Sequence, residues 1–264
     1  LCVFPELCLC GYTCADLLIH PPLLSGCLQA LDTLLQAPVR AAFVVGLPLE
    51  IGGRLYNCAV AVCGGRILGV VPKTHLPGSC EFYEKRWFEP GHSAPESMTL
   101  CGQTVPVGGD LVFDCGLFSF GVELCEDLWV PAPPSAKLGL GGALMIVNPS
   151  ASNELVTKHR YRCELIGQQS ARCLCGYLYA GAGYGESTTD LVFSGYAGVY
   201  ENGRMLAQNE RFARQSSFAV ADVDVERLRF KRRQSRTFAE GAPQALRIIR
   251  FGQEAFADDR LLRA

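Results

Sequence analysis

The sequence lacks an excess of charge of either sign and long apolar runs, and each absence excludes a class of protein. Its 24 basic and 26 acidic side chains nearly cancel, which argues against a nucleic-acid partner, because such partners need a basic surface. No uninterrupted apolar run approaches the roughly 20 residues of a membrane span. Charged residues make up 19% and hydrophobic residues 49% of the 264 positions, so the chain can bury a large core and is not disordered.

The sequence also lacks the cysteine spacing of a metal site or a disulfide framework, although it contains 14 cysteines. No CxxC pair occurs, and none of the 4 histidines lies at zinc-ligand spacing from a cysteine pair. Many of the cysteines occur in apolar runs such as 57–63, where cysteine packs as a small hydrophobic residue. We therefore expect no metal. Free thiols without a preceding signal peptide predict a reducing, cytoplasmic environment.

Hydrophobic periodicity predicts helices that alternate with groups of strands. Helices are predicted over 20–37, 135–140 and 159–174. Strands are predicted over 42–49, 58–63, 66–71, 111–113, 117–124, 143–147, 176–182, 191–194 and 217–223. Glycine-containing pairs at 64–65 and 202–203 predict hairpin turns. Residues 74–109 read as a loop, and the chain after Glu226 as basic and irregular. The pattern favours a layered α/β or α+β domain with its functional residues at strand ends.

Three ionisable side chains directly follow apolar strand-like runs: Glu6, Lys73 and Cys125. A free thiol has a pKa of about 8.5 and needs a base or a nearby cation to become a nucleophile. A carboxylate can take its proton, and an ammonium can stabilise the oxyanion that forms after attack. Each residue alone is more often structural, so the hypothesis depends on their shared context. A papain-type cysteine–histidine hydrolase is disfavoured, because no histidine has a comparable strand-end position.

The segments around these residues, at 4–12, 71–77 and 123–129, resemble the three signature segments of the carbon–nitrogen hydrolase (nitrilase) superfamily. The resemblance extends over about residues 1–230 and implies an α/β (α+β) fold, the four-layer α-β-β-α sandwich. It implies a catalytic triad with Glu6 as general base, Lys73 as the cation at the oxyanion and Cys125 as nucleophile. It further implies that Glu81 is a structural glutamate that orients Lys73.

Further runs resemble one branch of this superfamily, the amino-terminal glutaminase domains of glutamine-dependent NAD+ synthetases; they lie at 81–88, 148–154, 169–173, 185–190 and 200–203. This implies L-glutamine as substrate, no cofactor in this domain, and ammonia passed to a synthetase domain that binds ATP and Mg²⁺ and is absent here. We expect residues 1–240 to form the glutaminase domain, 241–264 to extend toward the synthetase domain, and the protein to be a homo-oligomer.

The same resemblance implies the residues that would bind glutamine. Tyr12 and Glu126 would lie near its α-amino group, and Ser152 and Lys158 would hold its α-carboxylate. A zwitterionic substrate requires such fixed charges of both signs. The sequence departs from the family at Ser79, where members carry a tyrosine that contacts glutamine. A serine keeps a hydrogen-bonding group but removes the aromatic wall.

Two alternatives remain open from the sequence. One is a free-standing amidase or carbamoylase of the same superfamily, which would not need the residue pair Ser152 and Lys158. The other is an inactive fragment of the fold. The chain begins without methionine inside a strand-like run, which indicates that the first strand and helix of the domain are missing. The loss of a strand beside Glu6 would expose a sheet edge, so we expect weak activity in the isolated chain.

Overall fold

The computed structural model describes residues 1–241 and 245–252, which form two main sheets and five α-helices. In chain order the elements are β1 (Cys2–Val3), α1 (Pro21–Gln36), β2 (Phe43–Ile51), β3 (Arg54–Cys63), β4 (Arg66–Pro72), β5 (Ser97–Leu100), β6 (Gln103–Pro106), β7 (Leu111–Asp114), β8 (Ser119–Val122), α2 (Pro134–Leu140), β9 (Met145–Ser150), α3 (Lys158–Arg172), β10 (Gly176–Gly181), β11 (Ala197–Glu201), β12 (Arg204–Gln208), α4 (Val225–Gln234), α5 (Arg236–Ala239) and β13 (Arg247–Arg250). Short 3-10 helices at Glu84–Arg86 and Cys125–Leu128 carry residues of the site described below.

The strands form a four-stranded and a seven-stranded sheet. The first sheet has the order β1-β2-β3-β4, and the second has the order β12-β11-β10-β9-β8-β7-β13. In the first sheet β1 is parallel to β2, whereas β2, β3 and β4 are antiparallel. In the second sheet β9 is parallel to both β8 and β10. The hairpin of β5 and β6 forms a separate two-stranded sheet.

Alternation of side chains along the strands produces four layers. Val45 and Leu47 of β2 pack with α1 on one face of the first sheet, whereas Val44 of the same strand packs against the second sheet. On the far face of the second sheet, Ile146 packs with residues of α2 and α3. Because successive strand residues point to opposite faces, both sheets are buried on two sides. The predicted four-layer α-β-β-α sandwich is confirmed.

Helix α1 shows how the sequence sets one outer layer. Pro21 and Pro22 occupy its first turn, where proline costs no hydrogen bond. Its buried residues Cys27, Leu31 and Leu35 recur every four positions and form one face against the first sheet. The helix ends at Gln36, shortly before Pro38. The prediction of a helix over 20–37 is therefore confirmed to within one residue at each end.

The structure corrects several local predictions. The predicted loop 74–109 contains the β5–β6 hairpin. The predicted strands 191–194 and 217–223 are irregular. Phe218 and Val220 are 81% and 74% exposed, so these two alternating apolar residues do not form the buried face that the strand prediction assumed. The predicted irregular region after Glu226 contains α4, whose start is capped by the Asp224 carboxylate accepting from the Arg227 N–H at 2.9 Å.

A domain boundary was predicted at 240/241, but the described residues beyond it pack with the same sandwich as the residues before it. Strand β13 pairs in parallel with β7 at the edge of the second sheet, and Phe251 is buried between the sheets. This part of the predicted extension thus belongs to the sandwich, whereas 242–244 and 253–264 lie outside the described residues. Among the described helices, none combines the length and apolarity needed to cross a membrane.

Candidate active site

The fold brings the three predicted strand-end residues together. Glu6 follows β1, Lys73 follows β4, and Cys125 begins the 3-10 helix after β8. All three are buried. The Lys73 Nζ donates to Glu6 Oε1 at 2.6 Å, and the charges of both residues act on the Cys125 thiol. Two sheets are required for this grouping, because Glu6 and Lys73 extend from the first sheet and Cys125 from the second.

Both oxygens of the Glu6 carboxylate accept hydrogen bonds. Its Oε1 accepts from the Lys73 Nζ and from the Asn57 Nδ2 at 2.7 Å. Its Oε2 accepts from the backbone N–H of Ala151 at 2.8 Å. A buried carboxylate held by three donors has a fixed orientation. The group is therefore suited to act as a base at one defined place.

Lys73 is held between two carboxylates, and the second belongs to Glu84 and not to Glu81 as predicted. The Lys73 Nζ donates to Glu84 Oε1 at 2.6 Å, and the same oxygen accepts from the Tyr12 hydroxyl at 2.7 Å. Burial lowers the pKa of Lys73, but Glu6 and Glu84 outweigh it and raise that pKa well above its usual value. Burial raises the pKa of Glu84 to about 7, against the opposing effect of Lys73.

Glu81 lies on a different branch of the site. Its carboxylate accepts a short hydrogen bond from the Asn153 Nδ2, and Asn153 Oδ1 accepts from the Lys158 Nζ at 2.6 Å. The 3-10 helix that begins at Glu84 turns that residue inward. Glu81, three residues earlier, therefore orients the predicted substrate-binding lysine through Asn153, while Glu84 orients Lys73.

Cys125 sits in a strained turn between β8 and its 3-10 helix. Its φ of +40° is unusual for a residue other than glycine. The N–H of Cys125 donates to Asn148 Oδ1 at 3.0 Å. Burial raises the pKa of the Cys125 thiol to about 12; Glu6 adds to this rise and Lys73 opposes it. The thiol is thus protonated at neutral pH, and its activation requires proton transfer to a neighbouring base.

The buried Asp127 connects the Cys125 turn to the loop that follows Lys73. Its Oδ2 accepts from the Leu124 N–H at 3.0 Å. Its Oδ1 accepts from the backbone N–H of His75 at 2.8 Å and lies 2.9 Å from His75 Nδ1. One carboxylate thereby fixes the relative position of segments that carry the predicted cation and nucleophile.

The hydrogen bond to Asp127 raises the pKa of His75, so the contact should stabilise the fold more at low pH. A histidine whose pKa is raised on folding contributes stability below its unfolded pKa and loses it as pH rises through the folded one. We expect the difference in free energy of unfolding between the wild type and His75→Phe to be larger at pH 5 than at pH 9. Urea denaturation at both pH values measures it; a difference that grew with pH would contradict the assignment.

Two of the predicted substrate-binding residues, Lys158 and Glu126, carry charged groups next to Cys125. Lys158 begins α3, and its Nζ lies 5.7 Å from the Phe82 ring centroid and 5.4 Å from that of Trp129. Burial lowers the pKa of Lys158, and the nearby Cys125 opposes the shift. Glu126, half-buried, follows Cys125, and burial raises its pKa.

Of the other three predicted substrate-binding residues, Tyr12 and Ser152 are buried and Ser79 is exposed. Tyr12 is buried with its hydroxyl on Glu84, so it supports the Lys73 network and does not present that hydroxyl to a substrate. Ser152 is buried beside Tyr179. Ser79 is exposed in the loop before Phe82. Phe82, three residues later, supplies an aromatic ring beside Lys158.

Asn57, Glu84 and Asn148 were missed by sequence reasoning. Asn57 lies within β3 and donates to both Glu6 and, at 3.3 Å, Glu84. Asn148 lies within the apolar strand β9 and is fully buried. A polar amide inside an otherwise apolar strand was the available signal, because a buried amide needs partners.

The two-sheet sandwich has the fold of a known carbon-nitrogen hydrolase. The carbon-nitrogen hydrolase family matches residues 1–233. The chain therefore belongs to the carbon-nitrogen hydrolase family.

Within this family, the chain is similar to glutamine-dependent NAD(+) synthetases. The chain is 44% identical over 243 residues to the glutamine-dependent NAD(+) synthetase of Mycobacterium tuberculosis (strain ATCC 25618 / H37Rv), covering 90% of this chain and 36% of that protein. A crystal structure of a glutamine-dependent NAD(+) synthetase from Cytophaga hutchinsonii matches with a TM-score of 0.74 and 26% identity, over 83% of this chain and 36% of that one.

A carbon-nitrogen hydrolase from Helicobacter pylori G27 matches with a TM-score of 0.71 over 91% of this chain and 82% of that one. At 20% identity this likeness shows the fold alone. The chain thus spans about a third of the length of the synthetases it matches. It spans most of the length of the Helicobacter pylori hydrolase.

Proposed function

We propose that this chain hydrolyses the side-chain amide of L-glutamine to glutamate and ammonia through a thioester on Cys125. The observation that carries the proposal is the buried Lys73 ammonium, 2.6 Å from both the Glu6 and the Glu84 carboxylates and acting on the Cys125 thiol. This geometry supports the proposal, because a carboxylate, a cation and a thiol that could serve as base, oxyanion partner and nucleophile belong to one buried group. The relatives' names, which specify glutamine, support the choice of amide.

In the first half of the reaction, Glu6 takes the Cys125 thiol proton as Sγ attacks the amide carbon. The carbonyl oxygen becomes an oxyanion, stabilised by the Lys73 ammonium and by the Glu126 N–H at the start of the 3-10 helix, where N–H groups have no intrahelical partner. The Cys125 N–H already donates to Asn148. Glu6 then returns the proton to the amide nitrogen, the C–N bond breaks, and ammonia leaves a thioester on Cys125.

In the second half, Glu6 takes a proton from a water molecule that attacks the thioester carbon. The oxyanion is stabilised as before, the C–S bond breaks, and the proton passes to Sγ. Glutamate is released and the thiol is restored. Glu84 keeps Lys73 in place throughout, so only one of the two carboxylates exchanges protons with the substrate.

Two charged side chains that could bind the α-ammonium and α-carboxylate of glutamine lie next to Cys125. Lys158 is held by Asn153 and two aromatic rings and can pair with an α-carboxylate. Glu126, adjacent to the nucleophile and half-buried, can pair with an α-ammonium. A free-standing amidase for simple amides would need neither charge. The ammonia would pass to a synthetase domain, since the matching synthetases are nearly three times as long as their match to this chain.

Ammonia release from L-glutamine and from butyramide, which lacks the α-charges, tests the substrate. We expect glutamine to be preferred, and Lys158→Met to raise the KM for glutamine at least about tenfold, the loss of one charged pairing, without changing butyramide turnover. Lys137→Met, at an exposed lysine of α2, is the matched control. Equal use of both amides would favour the free-standing amidase, and no release from either would favour the inactive fragment.

Replacement of Glu81 and of Glu84 by glutamine, one at a time, distinguishes the roles of the two residues. All neighbours of the Glu84 carboxylate are donors, from Lys73, Tyr12 and Asn57, so a glutamine there must turn its NH₂ toward a donor. We expect Glu84→Gln to lower kcat about 100-fold through displaced Lys73. Glu81→Gln can still accept from Asn153 and should change kcat only a few-fold. Steady-state glutaminase kinetics measure both; a larger kcat loss in Glu81→Gln would restore the sequence-based assignment.

A further inference from the structure

The buried carboxylate of Glu123 lies close to the nucleophile in the chain and takes no part in the chemistry above. Glu123 is two residues before Cys125 and is fully buried. Its Oε2 accepts from the Ser135 backbone N–H at 2.7 Å, and its Oε1 accepts from the Tyr177 hydroxyl at 2.6 Å. Burying a carboxylate is costly, so a purely structural role for it would be better filled by an apolar side chain.

A continuous chain of hydrogen bonds connects this carboxylate to the nucleophile's backbone. The Tyr177 oxygen, which donates to Glu123, accepts from the Asn148 Nδ2 at 2.9 Å. The Asn148 Oδ1 accepts from the Cys125 N–H at 3.0 Å and from the Ser150 hydroxyl at 2.8 Å. Residues 123, 148 and 177 belong to three adjacent strand segments of the second sheet, so the chain runs across the sheet toward the turn.

The turn needs such support because its backbone is strained. A non-glycine residue at φ +40° is unfavourable and persists only where surrounding contacts fix it. The hydrogen bond from the Cys125 N–H to Asn148 is one such contact. The same segment also holds the base, since the Ala151 N–H donates to Glu6 Oε2. Residues 148–151 therefore set the position of nucleophile and base relative to each other.

We propose that Glu123 is a positioning residue for Cys125, which acts through Tyr177 and Asn148 to hold the backbone of the nucleophile. The direction of the hydrogen bonds carries this inference. Because the carboxylate only accepts, it forces the Tyr177 O–H to point at it, which leaves the tyrosine oxygen to accept from the Asn148 NH₂. The asparagine must then turn its oxygen toward the Cys125 N–H.

A glutamine at 123 would break this order. If its oxygen faced Tyr177, its NH₂ would meet the Ser135 N–H. If its NH₂ faced Tyr177, the tyrosine would donate to Asn148, whose amide would flip and present NH₂ to the Cys125 N–H. Tyr177→Phe removes the link while keeping the ring. Both changes should misplace Cys125 without altering any group that contacts substrate.

The test measures the reactivity of Cys125 and glutamine turnover at pH 8, above the pKa of about 7 that burial gives Glu123. Iodoacetamide modification of Cys125, followed peptide by peptide by mass spectrometry, should slow about tenfold in Tyr177→Phe and in Glu123→Gln. The kcat for glutamine should fall about 100-fold with KM changed less than about threefold, the result of displacement near the reacting atoms. Tyr200→Phe is the matched control: it removes a buried hydroxyl bonded to Tyr196 and should leave both rates within twofold.

The kcat prediction rests on the proposed function, whereas the modification rate does not. Slower modification of Cys125 in a protein whose wild type releases no ammonia from glutamine would support the positioning role and contradict the glutaminase. If Tyr177→Phe and Glu123→Gln, folded by circular dichroism, both modify at the rate of Tyr200→Phe, the positioning role is wrong. If Tyr177→Phe does not fold, Glu123→Gln alone decides by the same comparison.

Discussion

Replacement of Cys125 by alanine is expected to reduce glutamine hydrolysis by at least about 10⁴-fold, because no thioester can form. The smaller side chain keeps the contact with Asn148, which is made by the backbone N–H, and loses only the weak hydrogen bond between the thiol sulfur and the Ala151 backbone. Stability should therefore change little. Ammonia release and thermal unfolding of the purified variant measure the two quantities separately.

Cys27 provides the matched control among the other cysteines. It is buried on α1 against the outer face of the first sheet, away from the Glu6–Lys73 pair. We expect Cys27→Ala to lower stability through the lost packing and to leave kcat within about twofold. Turnover by Cys125→Ala above about a tenth of the wild-type rate would exclude Cys125 as nucleophile, since that corresponds to under about 1.4 kcal/mol of barrier.

Glu6→Gln should have the next largest effect, about 10²–10⁴-fold on kcat. The Glu6 carboxylate accepts hydrogen bonds from Lys73, Asn57 and the Ala151 N–H, which are all donors. The NH₂ of a glutamine must therefore face one of these donors, and it cannot accept the thiol proton. Intact folding with lost turnover would be the signature of a base; unchanged turnover would remove Glu6 from the mechanism.

Lys73→Met should abolish turnover to a similar degree and also destabilise the fold. It leaves two carboxylates, of Glu6 and Glu84, buried without their shared cation, a change that typically costs about 3–5 kcal/mol. The double variant Lys73→Met with Glu84→Gln removes one of these charges. We expect it to recover part of the stability and none of the activity, as measured by urea denaturation and ammonia release. Recovery of activity would show that Lys73 has only a structural role.

Local sequence predicted the elements whose partners lie nearby in the chain. The 3.6-residue period of α1 and the glycine turns at 64–65 and 202–203 each specify one local conformation, and the structure contains them all. Strand-end context also indicated Glu6, Lys73 and Cys125. An apolar strand that ends on one ionisable residue is a pattern that can be recognised before the fold is known.

The failures have a common physical cause, which is that partners distant in the chain decide the conformation. Strand β13 forms because β7 offers a free edge more than 130 residues earlier. The segment 217–223 also alternates, yet it is irregular and its Phe218 and Val220 remain exposed. Glu81 and Glu84 have the same side chain and lie three residues apart, and only the 3-10 turn between Tyr83 and Trp87 decides which one reaches Lys73.

The most direct test of the central claim, that Cys125 attacks the glutamine carboxamide, is mass spectrometry after reaction with a glutamine analogue that carries a diazoketone in place of the amide. The account predicts a single covalent adduct on Cys125, formed more slowly when L-glutamine competes and absent in Glu6→Gln. An adduct on any of the other 13 cysteines instead of Cys125, or an adduct on Cys125 that L-glutamine does not slow, would contradict it.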